Sequence, residues 1–89
     1  MKVETHEQRG ETILTVHGSF NPHDLEELRE LIATHDAGGR VTIDFHDVGA
    51  MHDVAVAKLA GALADGRVSV VGLSDHHHRL LRYMGASRV

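Results

Sequence analysis

Residues 41–60, VTIDFHDVGAMHDVAVAKLA, constrain the fold more than any other part of this chain. Val41, Ile43 and Phe45 alternate with Thr42 and Asp44, the period of two that places every apolar side chain on one face of a strand. His46-Asp47-Val48-Gly49-Ala50-Met51-His52-Asp53 then reads as a polar loop. From Val54 the chain turns apolar and alanine-rich at helical spacing. A strand joined so closely to a helix start aims unpaired backbone N–H groups and a positive dipole end at the edge of a sheet. In α/β proteins that edge is where ligands and partners are met.

The remaining elements follow in the order β-β-α-β-α-β-α. Val3–Gln8 and Thr12–His17 read as two short strands joined at Arg9-Gly10, a hairpin turn. Asn21 is a good N-cap with Pro22 at the first helical position, and Asp24 is placed to complete a loose capping box. Leu25, Leu28, Leu31 and Ile32 form the apolar stripe of that first helix, with Glu26, Glu27, Arg29 and Glu30 towards solvent. Gly38-Gly39 ends it, and Asp65-Gly66 ends the second helix. Val68–Leu73 is a fourth, almost wholly apolar strand. Ser74 caps the last helix, in which Leu80, Leu81 and Met84 are expected to face the core. Strands alternating with helices predict parallel pairing of strands two, three and four through right-handed crossovers.

Composition removes several classes of function. Eighty-nine residues, 42% hydrophobic and 25% charged, suit one small domain spanning 1–89, burying roughly 60–65% of its unfolded surface. With no cysteine, a disulfide, a thiol nucleophile and a cysteine-ligated zinc are all excluded. Nine Lys and Arg stand against 13 Asp and Glu, a formal charge of −4. That balance, with only Phe20, Phe45 and Tyr83 as aromatics, argues against nucleic acid as a partner. Met1-Lys2-Val3-Glu4 has neither a basic n-region nor an apolar h-region, and no apolar run is long enough to span a bilayer. A cytoplasmic location without membrane insertion is therefore expected.

Ile43-Asp44-Phe45-His46-Asp47-Val48 resembles the strand and turn of the STAS family, the domain shared by bacterial anti-sigma factor antagonists and the cytoplasmic tails of sulfate transporters. In that family a hydrophobic strand ends in Asp, and a polar turn leads into an Asp-Ser-Ser-Gly-Leu-Gly run that opens a helix. Gly18 matches the family's glycine after the second strand, and Leu80-Leu81-Arg82-Tyr83-Met84-Gly85 its closing helix. Only four residues follow Gly85, so an exposed sheet edge is expected where many members carry another strand or helix. The resemblance implies an α/β fold, a four-stranded mixed sheet with helices packed on it. His52-Asp53-Val54-Ala55-Val56-Ala57 stands in place of the helix-opening run. The serine that regulated members phosphorylate thus falls on Asp53, which offers no hydroxyl.

Asp53 has two readings. A carboxylate at a helix start accepts backbone N–H groups and is favoured by the dipole, by about 0.5–2 kcal/mol. Alternatively it imitates a phosphoserine, with one negative charge in place of about 1.5–2. In family terms the phosphorylated form releases its kinase partner, so a fixed carboxylate would favour the released state or a partner that prefers an acid. Aspartyl phosphorylation lacks the acidic pair and lysine it needs.

Nine histidines are the other unusual feature. If strands two to four are parallel, their ends bring His23, His46, His52 and His76–His78 to one sheet edge beside Asp47, Asp53 and Asp75. Imidazoles with carboxylates suit zinc, nickel or copper, and His46, His52, His76 and His77 are the candidate ligands. No familiar ligand spacing is present, and three adjacent histidines on a helix point apart, so at most two serve one ion. A histidine-rich surface without a ligand is the plainer reading. A third is a pH response in which clustered imidazolium ions repel one another below about pH 6.5.

No serine sits in a nucleophile elbow, and neither a Walker loop nor a dinucleotide fingerprint is present. A binding module without enzymatic activity or cofactor is expected. Its partner surface is assigned to Met51, His52, Asp53, Val54, Ala55 and Ala57. The resemblance implies an anti-sigma factor antagonist-like regulator of transcription, binding a kinase-type anti-sigma protein without the usual phosphoserine switch. A small cytoplasmic subunit of an ABC-type lipid transport complex, binding a transporter ATPase, is the alternative. A histidine-based metal- or pH-sensing domain is the third.

Overall fold

In the computed structural model, which describes residues 1–36, 39–63 and 67–85, the chain runs β1 (Lys2–Gln8), β2 (Glu11–Phe20), α1 (Leu25–Asp36), β3 (Arg40–Met51), α2 (Asp53–Leu59), β4 (Val68–Val71) and α3 (Asp75–Tyr83). Short 3-10 turns at Pro22–Asp24 and Ala60–Leu63 precede α1 and follow α2. The sheet order is β1-β2-β3-β4, with β1 antiparallel to β2 and the other two pairings parallel. That is the mixed four-stranded α/β sheet expected from the sequence. Gly38, Asp65-Gly66 and residues 86–89, on which some of those expectations fell, lie outside the described residues.

Local chemistry sets the turns. Arg9 and Gly10 both have positive φ, 45° and 80°, as a two-residue hairpin of the right twist demands, and Gln8 pairs directly with Glu11. At the start of the first helical segment, Asp24 Oδ2 accepts the Asn21 N–H at 2.9 Å. The Asn21 amide meanwhile donates to Ser19 Oγ at 3.2 Å. Ser74 caps α3 as expected, accepting the His77 N–H at 3.3 Å. Gly85, at φ 92°, closes α3 by donating to the Arg82 carbonyl at 3.2 Å, the left-handed helix stop that glycine provides.

The helices lie over one sheet face. Leu14, Val16 and Phe20 of β2, Val41, Ile43 and Phe45 of β3, and Val68 and Val70 of β4 form one buried cluster with Leu25, Leu28, Ile32, Val56, Leu59, Leu63 and Leu81. The Phe20 and Phe45 rings meet at 5.3 Å between centroids and 50°, worth about 0.5–1.5 kcal/mol beyond their burial. Arg29 donates to the Lys58 carbonyl at 3.4 Å, tying α1 to the end of α2. Leu81 is fully buried, but Met84 is 54% exposed because α3 ends at Tyr83 and Met84 belongs to the turn beyond it.

The main departure from expectation is β3, which continues through the stretch read as a loop. Thr15 pairs with Asp44 and His17 with Asp47, so Phe45 and His46 together oppose Val16. Gly18 pairs with Val48 and Ser19 with Ala50, which leaves Gly49 as a second extra residue. Each insertion is a bulge, and each shifts the alternation by one. The core-facing residues therefore come three apart: Phe45 is buried, and Val48 and Met51 pack on the same cluster. A period of two that breaks twice looks like a loop. It is a strand with two kinks.

Gly72, with φ 81°, follows β4 at the first bulge. A Cβ there would overlap the His46 backbone nitrogen and come within 2.9 Å of Asp44 Oδ1 and His46 Cα. Gly72→Ala combines a left-handed backbone with a close contact, so we expect a loss of roughly 2–5 kcal/mol in urea unfolding. Gly10→Ala, where nothing lies within 4 Å, should cost about 1 kcal/mol. Equal losses in the two variants would show that the approach of Gly72 to β3 is no constraint.

Candidate functional site

The site is built where β3 hands over to α2 and β4 to α3. The His52 N–H donates to the Phe20 carbonyl at 3.2 Å and the His52 carbonyl accepts the Val56 N–H at 3.1 Å, so the start of α2 is anchored to the end of β2. Asp53 is thereby the first residue of α2, and 62% of its side chain is exposed. Among the described residues its carboxylate meets side chains and no backbone N–H. Oδ2 lies 3.1 Å from His76 Nε2 and Oδ1 lies 2.9 Å from His77 Nε2, both on α3. The two rings pack edge to face at 5.0 Å. Hydrogen bonds from His76 and then His77 hold the Asp53 carboxyl below its usual range, against an opposing effect of burial and with the help of the nearby charge of both rings.

The two imidazoles are held unequally. The His77 side chain is only 16% exposed, and its Nδ1 lies 3.0 Å from Ser74 Oγ. The His76 side chain is 66% exposed. His78 turns the other way, as adjacent helical positions require. Its Nε2 is buried and has no hydrogen-bond partner among the described residues, beside a small cavity lined by Val70, Val71, Gly72 and Leu73.

A cleft of about 280 Å³ runs from this cluster to the first bulge, lined by Phe45, His46, Val48, Met51, Leu73 and His77 among others. At its far end Asp44 Oδ1 accepts the His46 N–H at 2.9 Å and contacts His46 Nδ1 at 2.7 Å. This is an Asx-type turn in which a side chain satisfies the backbone freed by the bulge. His46 Nε2 also lies 3.6 Å from Asp47 Oδ1. On the adjacent strand His17 Nδ1 lies 2.8 Å from Asp47 Oδ2. The other His17 nitrogen is 3.0 Å from Glu4, at an angle that makes an ion-pair contact rather than a hydrogen bond.

The histidines that topology was expected to gather are thus divided. His76 and His77 meet Asp53, His46 belongs to Asp44 and Asp47, and exposed His23 lies 3.7 Å from Asp24. His52 is exposed and makes no side-chain bond among the described residues. Two participants were not anticipated: His17, and Ser74 as a ring partner as well as a cap. The Ser-x-x-His spacing at 74–77 was the available signal for the second.

Within the assigned partner surface, Val54 is 56% exposed, whereas Ala55 is fully buried. Met51 and Ala57 are half-buried, and His52 and Asp53 exposed. Ala55 supports this surface from beneath. The side chains available to a partner are His52, Asp53 and Val54, with the edges of Met51 and Ala57.

The chain belongs to the STAS-domain family: over residues 3–89 it matches the family model described as Mlab, STAS domain. No curated protein sequence matches it. Among solved structures it is similar to the anti-sigma factor antagonist SpoIIAA in its unphosphorylated form, with a TM-score of 0.70 and 15% sequence identity. That match covers 92% of this chain and 83% of SpoIIAA, so the two share the fold. No described helix is long and apolar enough to cross a membrane.

The Asp44–His46 pair gives a pH prediction. The hydrogen bond that the His46 ring donates to the Asp44 carboxylate, with the charge of Asp44, raises His46 above its ordinary value of 6.5. Burial acts on Asp44 in the opposite sense, but the His46 backbone and ring bonds outweigh it and hold Asp44 below 3.8. The His46 contribution to stability is complete below pH 6.5 and lost as pH rises through its raised midpoint. The Asp44 contribution is complete above pH 3.8 and lost as pH falls through its lowered midpoint. In an NMR titration, Asp44→Asn should bring the His46 midpoint down to its ordinary value or below; an unmoved midpoint would exclude Asp44 as the cause.

Proposed function

We propose that this STAS domain is a protein-binding module that meets its partner through the start of α2, with His52, Asp53 and Val54 as the contact residues. Met51, Ala55 and Ala57 shape the surface from behind. The observation that carries this reading is Val54, an apolar side chain 56% exposed on the first turn of a helix in which Ala55, Val56 and Leu59 are buried. Beside it Asp53 and His76 supply polar groups at the rim. An exposed apolar side chain flanked by polar ones is the anatomy of a small protein contact.

The partner we propose is a kinase-type anti-sigma protein, which makes the domain an anti-sigma factor antagonist-like regulator working in the cytoplasm. Asp53 stands at the position that the resemblance gives to the phosphorylated serine, so control by serine phosphorylation there is absent in this proposal. The fixed negative charge is shared with His76 and His77, which distinguishes it from a free phosphate. The missing serine also supports a second reading, a small subunit of an ABC-type lipid transport complex bound to the transporter ATPase. That role needs no phosphoserine. Neither reading assigns catalysis to the domain.

Capture from native lysate in the presence of EDTA separates the readings by what is recovered: a kinase-like anti-sigma protein or a transporter ATPase. With the recovered partner, Val54→Arg should weaken binding at least tenfold, roughly 1.4 kcal/mol. Asp53→Ser should change the affinity measurably. Unchanged affinity in both variants would remove the start of α2 as the contact surface.

A further inference from the structure

We propose that Asp53, His76 and His77 form a binding site for one divalent transition-metal ion of the zinc class, held at the junction of α2 and α3. One ligand atom from each residue lies within 4.8 Å of the others. The closest approaches are 2.9 Å from Asp53 to His77 and 3.1 Å from Asp53 to His76. Ligand atoms around a tetrahedral zinc at about 2.0–2.2 Å sit roughly 3.3 Å from one another. Side-chain rotation is needed to bring all three ligand atoms to that spacing, and the His76 side chain, 66% exposed, has room to turn.

The donor set fits the chemistry. Two imidazoles and a carboxylate are borderline ligands that suit zinc, nickel or copper and leave magnesium and calcium, which want oxygen alone, poorly served. Three protein ligands leave a fourth position for water or for a donor from another molecule, the open arrangement of a non-structural zinc site. Orientation is also supplied. An ion at His77 Nε2 needs the ring proton on Nδ1, and Ser74 Oγ lies 3.0 Å from Nδ1 to accept it. The same oxygen accepts the His77 N–H, and a hydroxyl has lone pairs for both. Ser74 is therefore a positioning residue, in the role that outer-shell partners have at metal-bound histidines. The α3 cap and the metal site share one atom.

The site is independent of the partner proposed above, because the isolated domain should bind the ion. Titration of the metal-free, untagged protein with zinc chloride by calorimetry should give a saturable site of one ion per chain. Asp53→Asn and His77→Ala should each weaken it by at least tenfold, and Ser74→Ala by about tenfold. His6→Ala, on the edge strand β1, should leave it unchanged. Circular dichroism of each variant confirms folding, and cobalt(II) in place of zinc should give the intense visible absorption of a four-coordinate ion in wild type and lose it in His77→Ala. Non-saturating heat, or equal weakening by His6→Ala and His77→Ala, would mean diffuse binding to a histidine-rich surface and would overturn the proposal. Neither result bears on capture in EDTA, so the two ideas can fail separately.

Discussion

The bulged ladder between β2 and β3 is the constraint on which the candidate site depends. Without the extra residues at Phe45–His46 and Gly49, β3 would stay in step with β2, and a one-residue slip sends side chains to the opposite face. With them, Phe45, Val48 and Met51 all face the core although they are three apart. Bulges also free backbone groups from the ladder, and these must be satisfied elsewhere. At the first bulge Asp44 does this by accepting the His46 N–H. The chain leaving β4 then crosses so close to that turn that only glycine fits at position 72. The direction of α2 follows, since His52 reaches the Phe20 carbonyl only because β3 has kept pairing with β2 up to Met51.

The link between Asp53 and α3 spans 23 and 24 residues of sequence. It is an exposed contact, of the kind that adds little to stability, and the fold does not need it. The core residues Val56 and Leu81 already bring α2 and α3 together. What it sets is the chemistry at the surface. A carboxylate for which a helix cap was one of two readings is turned towards two imidazoles, and its negative charge is met locally instead of projecting into solvent. A phosphate on a serine would carry more charge than two such rings can meet, so in the proposal that Asp53 stands for a phosphoserine the likeness is one of sign of charge more than of field.

Much of the fold could be read from the sequence, and the limits have physical causes. Alternation in Val41–Phe45, the Leu25–Leu28–Ile32 stripe and the caps at Ser74 and Asp24 are local signals, and each is where it was expected. The end of β3 was misplaced because bulges destroy the periodicity by which a strand is recognised. Met84 was assigned to the core on helical spacing alone, and the helix stops one residue earlier. Asp53 was placed correctly at the start of α2, but its partners could not be inferred: a side chain can turn to its own helix or to a neighbouring one. Only tertiary structure decides between them.

The same reasoning changes how the histidines are understood. From sequence a histidine-rich surface without a ligand is the plainer reading, and a cluster that repels itself on protonation is one alternative to it. In the structure His6, His17, His23, His35, His46, His76 and His77 each have a carboxylate within 4 Å. Among the described residues only His52 and His78 have no such neighbour. A proton gained beside a carboxylate is stabilised by it, as the raised midpoint of His46 shows. At His46 acidification therefore neutralises local negative charge before it builds up repulsion, in a protein whose formal charge is −4. Asp53 with His76 and His77 is where two rings share one acid, and an ion bound there would take the place of the ring hydrogens that now meet the carboxylate.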